Sequence, residues 1–158
     1  MRGLSLSDPA FVGGLGGGAA FRYHRLYITN HGGDNNVGVA ELILREVAGG
    51  AQVAIGGVCD ASGQASSTYD CSKAFDGDSA TAWITPWGGG PQWLSYDLGA
   101  GEGAELVEYA IRLTTIWVQR APRSWELQGS NDGSTWETLD SRSWVVWERA
   151  GEIQTFTI

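Results

Sequence analysis

Positive charge is scarce in this sequence: 10 Lys and Arg stand against 18 Asp and Glu, giving a net charge of −8 and a pI near 4.6. Binding to a phosphate backbone or an anionic bilayer draws on clustered cations, so the balance argues against nucleic acid and membrane surfaces as partners. No apolar run reaches the roughly 18–20 residues that span a bilayer, which argues against membrane insertion. There are only two cysteines, Cys59 and Cys71. They are either a disulfide or two free thiols, and their spacing does not decide between these. Catalytic motifs are missing too. Nothing reads as a nucleophile elbow or a phosphate-binding loop, and His24 and His31 have no Ser or Cys motif nearby, so the chain is read as non-catalytic. No segment longer than a turn or two repeats its apolar residues every 3.6 positions, which excludes a helical architecture.

What the chain does have is 24 Gly and 8 Trp in 158 residues. Many glycines with many aromatics suit short strands joined by tight loops. Residues 1–20 read as an arm or tether, because GGLGGG at 13–18 has almost no side chains to pack. This stretch faintly resembles a signal peptide, but Asp8 and Pro9 interrupt its apolar region. A single module is expected over 21–158. Strands are expected at 22–29, 37–46, 52–58, 91–99, 106–113 and 124–130, with TWETLDSRS and EIQTFTI closing the set. Residues 106–113 alternate most cleanly, as a half-buried strand does. Residues 59–81 are polar and read as loops, and Asn131, Asp132 and Gly133 form a tight turn. Seven or eight short strands of this kind predict an all-β sandwich or jelly roll.

The loop KAFDGDSAT (73–81) places Asp76 and Asp78 around Gly77, with Thr81 three residues on. Oxygen ligands on a glycine-kinked loop can wrap a hard cation such as Ca²⁺. The same pattern also fits a solvated turn that binds nothing.

KAFDGDSATAW (73–83), PQWLSYDLG (91–99) and APRSWELQGSNDGSTWETL (121–139) together resemble the discoidin, or coagulation-factor C-type, domain. They are also similar to family 32 carbohydrate-binding modules and to the sugar-binding domain of galactose oxidase. The resemblance implies a galactose-binding-domain-like jelly-roll β-sandwich with a structural Ca²⁺. The ion's ligands would be the carbonyls of Lys73, Asp78 and Thr81, the Asp76 carboxylate and the Thr81 hydroxyl. The family completes the shell from a late strand that has no counterpart after residue 139. VAEL at 39–42 matches it instead, through Ala40 and Glu41. Residues 21–46 therefore resemble the family's last two strands placed first, which implies a circularly permuted module. The other reading takes 21–46 as the tail of a lost preceding copy. The resemblance also implies a Cys59–Cys71 disulfide and an oxidising setting.

Sugar-binding sandwiches use loop aromatics and a few polar side chains. The resemblance places Trp83, Trp93, Trp125 and Trp136 at core positions. It places Tyr69, Trp87, Trp117, Gln119 and Arg120 on loops at one end, with His31 a weaker member. For each loop aromatic, packing competes with sugar contact. Trp144 and Trp147 are either an exposed pair or part of a hairpin packed on the core. The phrases RYHRLYIT, VAELILRE and APRSWELQGSNDGSTWETLDSRS resemble discoidin-type modules of tailed-bacteriophage structural proteins. The expected function is carbohydrate binding on a virion, for attachment to host surface glycans. The alternative is a virion structural or decoration protein making only protein contacts. The expected partners are cell-surface carbohydrate, other virion proteins through the arm and a second copy in a homo-oligomer. The expected location is the virion or the extracellular space.

Overall fold

The computed structural model describes residues 18–158. The expected arm thus lies almost wholly outside the described residues. Ten strands follow in chain order: β1 (Tyr23–His31), β2 (Gly38–Val39), β3 (Glu41–Arg45), β4 (Val58–Ala61), β5 (Trp83–Ile84), β6 (Gln92–Asp97), β7 (Glu108–Arg112), β8 (Pro122–Ser130), β9 (Glu137–Arg142) and β10 (Ile153–Thr157). Three short 3₁₀ helices complete the set, at Ser67–Tyr69, Cys71–Ala74 and Val118–Arg120. The fold is an all-β, discoidin-like sandwich. One sheet runs β4-β6-β1-β8-β9, the second β10-β7-β3, and a small ribbon pairs β2 with β5.

Alternation along each strand sets the core. On β1, His24, Leu26 and Ile28 turn inward. Leu94 and Tyr96 do the same on β6, and Trp125 and Leu127 on β8. All of these but His24 meet Leu42, Leu44, Tyr109, Ile111 and Phe156 of the opposite sheet in one hydrophobic cluster. A polar link crosses the layers within it. The Trp125 indole donates to the Tyr109 hydroxyl at 2.8 Å, and that hydroxyl donates to Asp140 Oδ2 at 2.7 Å. Residues 21–46 are integral to the domain: β1 lies between β6 and β8, and β3 pairs with β7. Phe21 closes this end of the sandwich. Its ring lies so close to Gly129 that a Cβ there would sit 2.4 Å from it, so only glycine fits.

Several expectations are corrected. Residues 52–57 are not a strand; the strand starts at Val58 and runs into the stretch expected to be all loop. The segment expected at 37–46 breaks at Ala40 into β2 and β3. β7 is buried on both faces rather than half-buried; on the face away from the core Glu108 pairs with Arg45 of β3 at 2.6 Å, and the small Ala110 stands between Ile43 and Thr155 of the flanking strands. Trp83 and Trp125 are core residues, but Trp93 and Trp136 are only partly buried and lie at the outer face of the five-stranded sheet. Trp144 and Trp147 separate: Trp147 is buried and donates to the Pro122 carbonyl at 2.7 Å, whereas Trp144 is exposed.

Candidate functional site

Cys59 and Cys71 form a disulfide that ties β4 to the 3₁₀ helix Cys71–Ala74. That helix carries Lys73 directly into the 73–81 loop. In the loop, Asp78 N–H donates to Asp76 Oδ1 at 2.9 Å while Gly77 between them adopts φ +74°, a conformation that glycine reaches without strain. The Thr81 hydroxyl donates to Asp76 Oδ2 at 2.8 Å and lies 3.0 Å from the Asp78 carbonyl. Two of the expected oxygens, Asp76 Oδ2 and the Asp78 carbonyl, therefore lie within hydrogen-bonding distance of a third, the Thr81 hydroxyl.

The upstream ligands arrive from the break between β2 and β3. Ala40 is fully buried there, and Glu41 projects into a groove that Asp76 and Gly77 also line. Glu41 is buried, and its Oε1 has no hydrogen-bond partner among the described residues. Burial first, and then the adjacent Asp76 charge, pushes its pKa up to about 7, with the Gly77 backbone N–H acting in the opposite direction. A buried carboxylate beside a second carboxylate is costly unless a cation or proton compensates it. Among the described residues there is no group of three or more His, Cys, Asp and Glu side chains placed to hold a metal. The donor set is instead the oxygen-rich mixture of carbonyls, hydroxyl and carboxylates that hard cations take. These residues fit Ca²⁺, and the orphaned Glu41 oxygen is the observation that favours it.

A second cluster forms at the end of the sandwich where β1 finishes. The Trp117 ring carries the Arg120 guanidinium 3.9 Å above its centroid. Arg120 Nε donates to Asp34 Oδ2 at 2.8 Å. Asp34 Oδ1 accepts from the Trp87 indole at 3.4 Å. The Arg120 hydrogen bond is the main cause holding the Asp34 carboxyl below its ordinary range. Three loops are thus linked by one chain of contacts. Trp87 is 75% exposed, so most of its ring is free to meet a ligand. Tyr69 and Trp117 pack together on the small cluster of Ala40, Ala82 and Ile84 and flank a groove of about 240 Å³.

The remaining expected residues sit at the margin. The Gln119 side chain is exposed, while its carbonyl accepts from Asp34 N–H at 3.5 Å. His31 ends β1 opposite Pro122, with its Nδ1 buried and without a partner among the described residues. Asp34 escaped the reading of the sequence. It sits in a turn-rich loop with no periodicity, and only the fold shows that it joins two separated tryptophan loops.

The sequence pattern of the F5/8 type C domain matches residues 59–157. The chain is similar to peptide-N(4)-(N-acetyl-beta-glucosaminyl)asparagine amidase of Arabidopsis thaliana, at 31% identity over 99 residues. That similarity covers 62% of this chain but 14% of the plant protein, so the chain spans about one-seventh of the relative's length. No solved structure matches the chain significantly.

Proposed function

The chain belongs to the F5/8 type C domain family, whose members are in general carbohydrate- or ligand-binding modules, and on that premise we propose that it is a non-catalytic module binding cell-surface carbohydrate through its loop end. The Trp87–Asp34–Arg120–Trp117 chain of contacts carries the reading. An exposed indole offers a flat apolar surface to the C–H face of a pyranose ring. Arg120 spends only Nε on Asp34, and its terminal nitrogens have no partner among the described residues, so they are available to sugar hydroxyls. The 240 Å³ groove beside Tyr69 gives room for a substituent.

The resident ion in this reading is Ca²⁺, held by Lys73, Asp76, Asp78, Thr81, Ala40 and Glu41. It would neutralise Glu41 and Asp76 and fix the loop whose Ser79, Ala80 and Thr81 line the groove beside Tyr69. The strand order is read as circularly permuted, because residues 21–46, which resemble the family's final strands, precede the matched segment 59–157. The setting is extracellular, on a tailed-phage virion that uses the module for host attachment. The disulfide supports an oxidising compartment. Among the described residues no helix is long and apolar enough to cross a membrane.

The experiment is a glycan-array and whole-cell binding assay on the parent chain and the Trp87→Ala/Trp117→Ala double variant. Binding should weaken by at least about tenfold, the loss expected when two stacking platforms are removed. Undiminished binding by the double variant would sink the loop-end site. Antibody labelling of purified particles tests the setting, and unlabelled particles would leave an extracellular module making no virion contacts.

A further inference from the structure

The outer face of the five-stranded sheet carries another groove, of about 320 Å³. It lies at the Tyr23 end of β1, whereas the loop-end cluster lies at the His31 end. Strand parity builds it. With His24, Leu26 and Ile28 turned inward, β1 presents Tyr23, Arg25 and Tyr27 outward; β6 likewise presents Trp93, Ser95 and Asp97. The register aligns Asp60 of β4 with Ser95, Ser95 with Arg25, and Arg25 with Gln128 of β8. One row across four strands therefore offers a carboxylate, a hydroxyl, a guanidinium and an amide. In the next row Trp93 stands directly opposite Tyr27.

Arg25 is held in a defined pose. Its guanidinium lies 4.0 Å over the Trp136 ring and 5.1 Å from the Tyr27 centroid, and its Nε donates to Gln128 Oε1 at 2.9 Å. Its terminal nitrogens have no hydrogen-bond partner among the described residues. An outer sheet face that meets only water needs no such arrangement. Here two partly buried indoles flank a fixed, half-satisfied fork of donors in a concave surface.

We propose that this groove is a second binding site, for a neutral pyranose-containing saccharide, with Trp93 stacking on one ring and Arg25, Ser95 and Asp60 meeting its hydroxyls. The chemistry favours this occupant. Arg25, Trp93 and Ser95 stand on β1 and β6, interior strands paired on both sides, so an extended peptide could join only at the outer edge of β4 and not over these side chains. Asp60 and the chain's net charge of −8 disfavour a polyanion. A hydroxyl both donates and accepts, so it satisfies carboxylate and guanidinium alike. No side chain is shared with the loop-end site, so the inference stands independently of that reading. Two sites on one rigid module would engage a polysaccharide with avidity.

The test is a titration of the full chain followed through its tryptophan indole N–H signals by two-dimensional NMR. The probes are methyl glycosides of galactose, glucose, mannose and N-acetylglucosamine, together with cellobiose and chitobiose. At least one probe should shift the Trp93 and Trp136 signals saturably. Trp93→Ala should weaken that shift by at least about tenfold, the loss of roughly 1.4 kcal/mol expected of a main stacking platform, while Trp87→Ala leaves it within about twofold. Arg25→Lys, which keeps the charge and loses the planar fork, should weaken it too. If no probe moves Trp93 or Trp136, or the shifts persist in Trp93→Ala, the proposal is overturned. Shifts confined to Trp87 and Trp117 overturn it and leave the loop-end site standing; shifts confined to Trp93 and Trp136 do the reverse. Trp93 lies at the outer face, so its truncation spares the core.

Discussion

His24 shows how a single side chain couples this fold to pH. It faces the core on the central strand and is 1% exposed, with no hydrogen-bond partner at either ring nitrogen among the described residues. Burial lowers its pKa from 6.5 to about 4; the nearby Phe21 carbonyl offsets part of the shift without reaching hydrogen-bond geometry. The folded state therefore refuses a proton that the unfolded chain accepts. Above pH 6.5 neither state binds it and nothing is lost. As pH falls from 6.5 to 4 stability declines, by about 3 kcal/mol in all. Glu41, whose folded pKa is raised, works in the opposite direction over part of this window. The quantity to measure is therefore a difference: the urea midpoint of the parent minus that of His24→Leu, at pH 7 and at pH 4.5. The parent should lose more on acidification, and identical pH slopes would refute the assignment. Sequence reading put His24 on a strand without seeing this, because parity alone does not say which side of a strand is buried. Trp93 is placed in the core by the resemblance, and alternation could not have corrected it. It is flanked by Gln92 and Leu94, and β6 carries large apolar residues on both faces, so alternation could not separate core from surface.

Among the elements, β1, β6, β7, β8, β9 and β10 could be read within one or two residues of their observed bounds. Residues 52–57 could not, since Gly56 adopts a left-handed φ of +74° there and Val53 and Ala54 resemble strand composition without making a ladder. The 73–81 loop was legible as chemistry rather than as structure. D-G-D is a weak signal, and its significance comes from Glu41, 35 positions before Asp76 in the chain and adjacent to it in space. If Ca²⁺ compensates these carboxylates, calcium saturation should raise the melting temperature of the parent chain and chelation should lower it. The stabilisation is about 2.7 kcal/mol when free calcium exceeds Kd by a hundredfold. Asp76→Ala should abolish the shift. Glu41→Gln should abolish it too, and in chelator it should melt no lower than the parent, because it removes a buried charge that then has no partner. A parent chain whose melting is indifferent to chelation would remove the ion from this loop.

At the scale of the whole molecule, the order of the strands is the property least explained by any one of them. The segment matching the family pattern ends at residue 157, yet β1 and β3, which precede it, occupy interior and pairing positions of both sheets. The two ends of the described domain meet on one short segment. Gly18 N–H donates to Glu105 Oε1 at 2.8 Å, and Ile158 N–H donates to the Val107 carbonyl at 3.0 Å. Neighbouring ends are the condition under which strand order can be permuted without changing the fold. Permutation then makes a sharp prediction. A rearranged chain that begins at residue 51, runs to 158, crosses a short Gly/Ser linker to residue 18 and stops at residue 50 keeps every strand pairing. It should fold and melt within a few degrees of the parent, the break falling between β3 and β4 where no ladder is cut. A chain of residues 59–158 alone should not fold, because β6 and β8 would each lose their partner in β1, leaving the core open along the middle of the sheet. Circular dichroism with thermal melting reads both outcomes. If the fragment folds cooperatively while the rearranged chain does not, the upstream strands are an addition to a complete domain rather than its displaced last part.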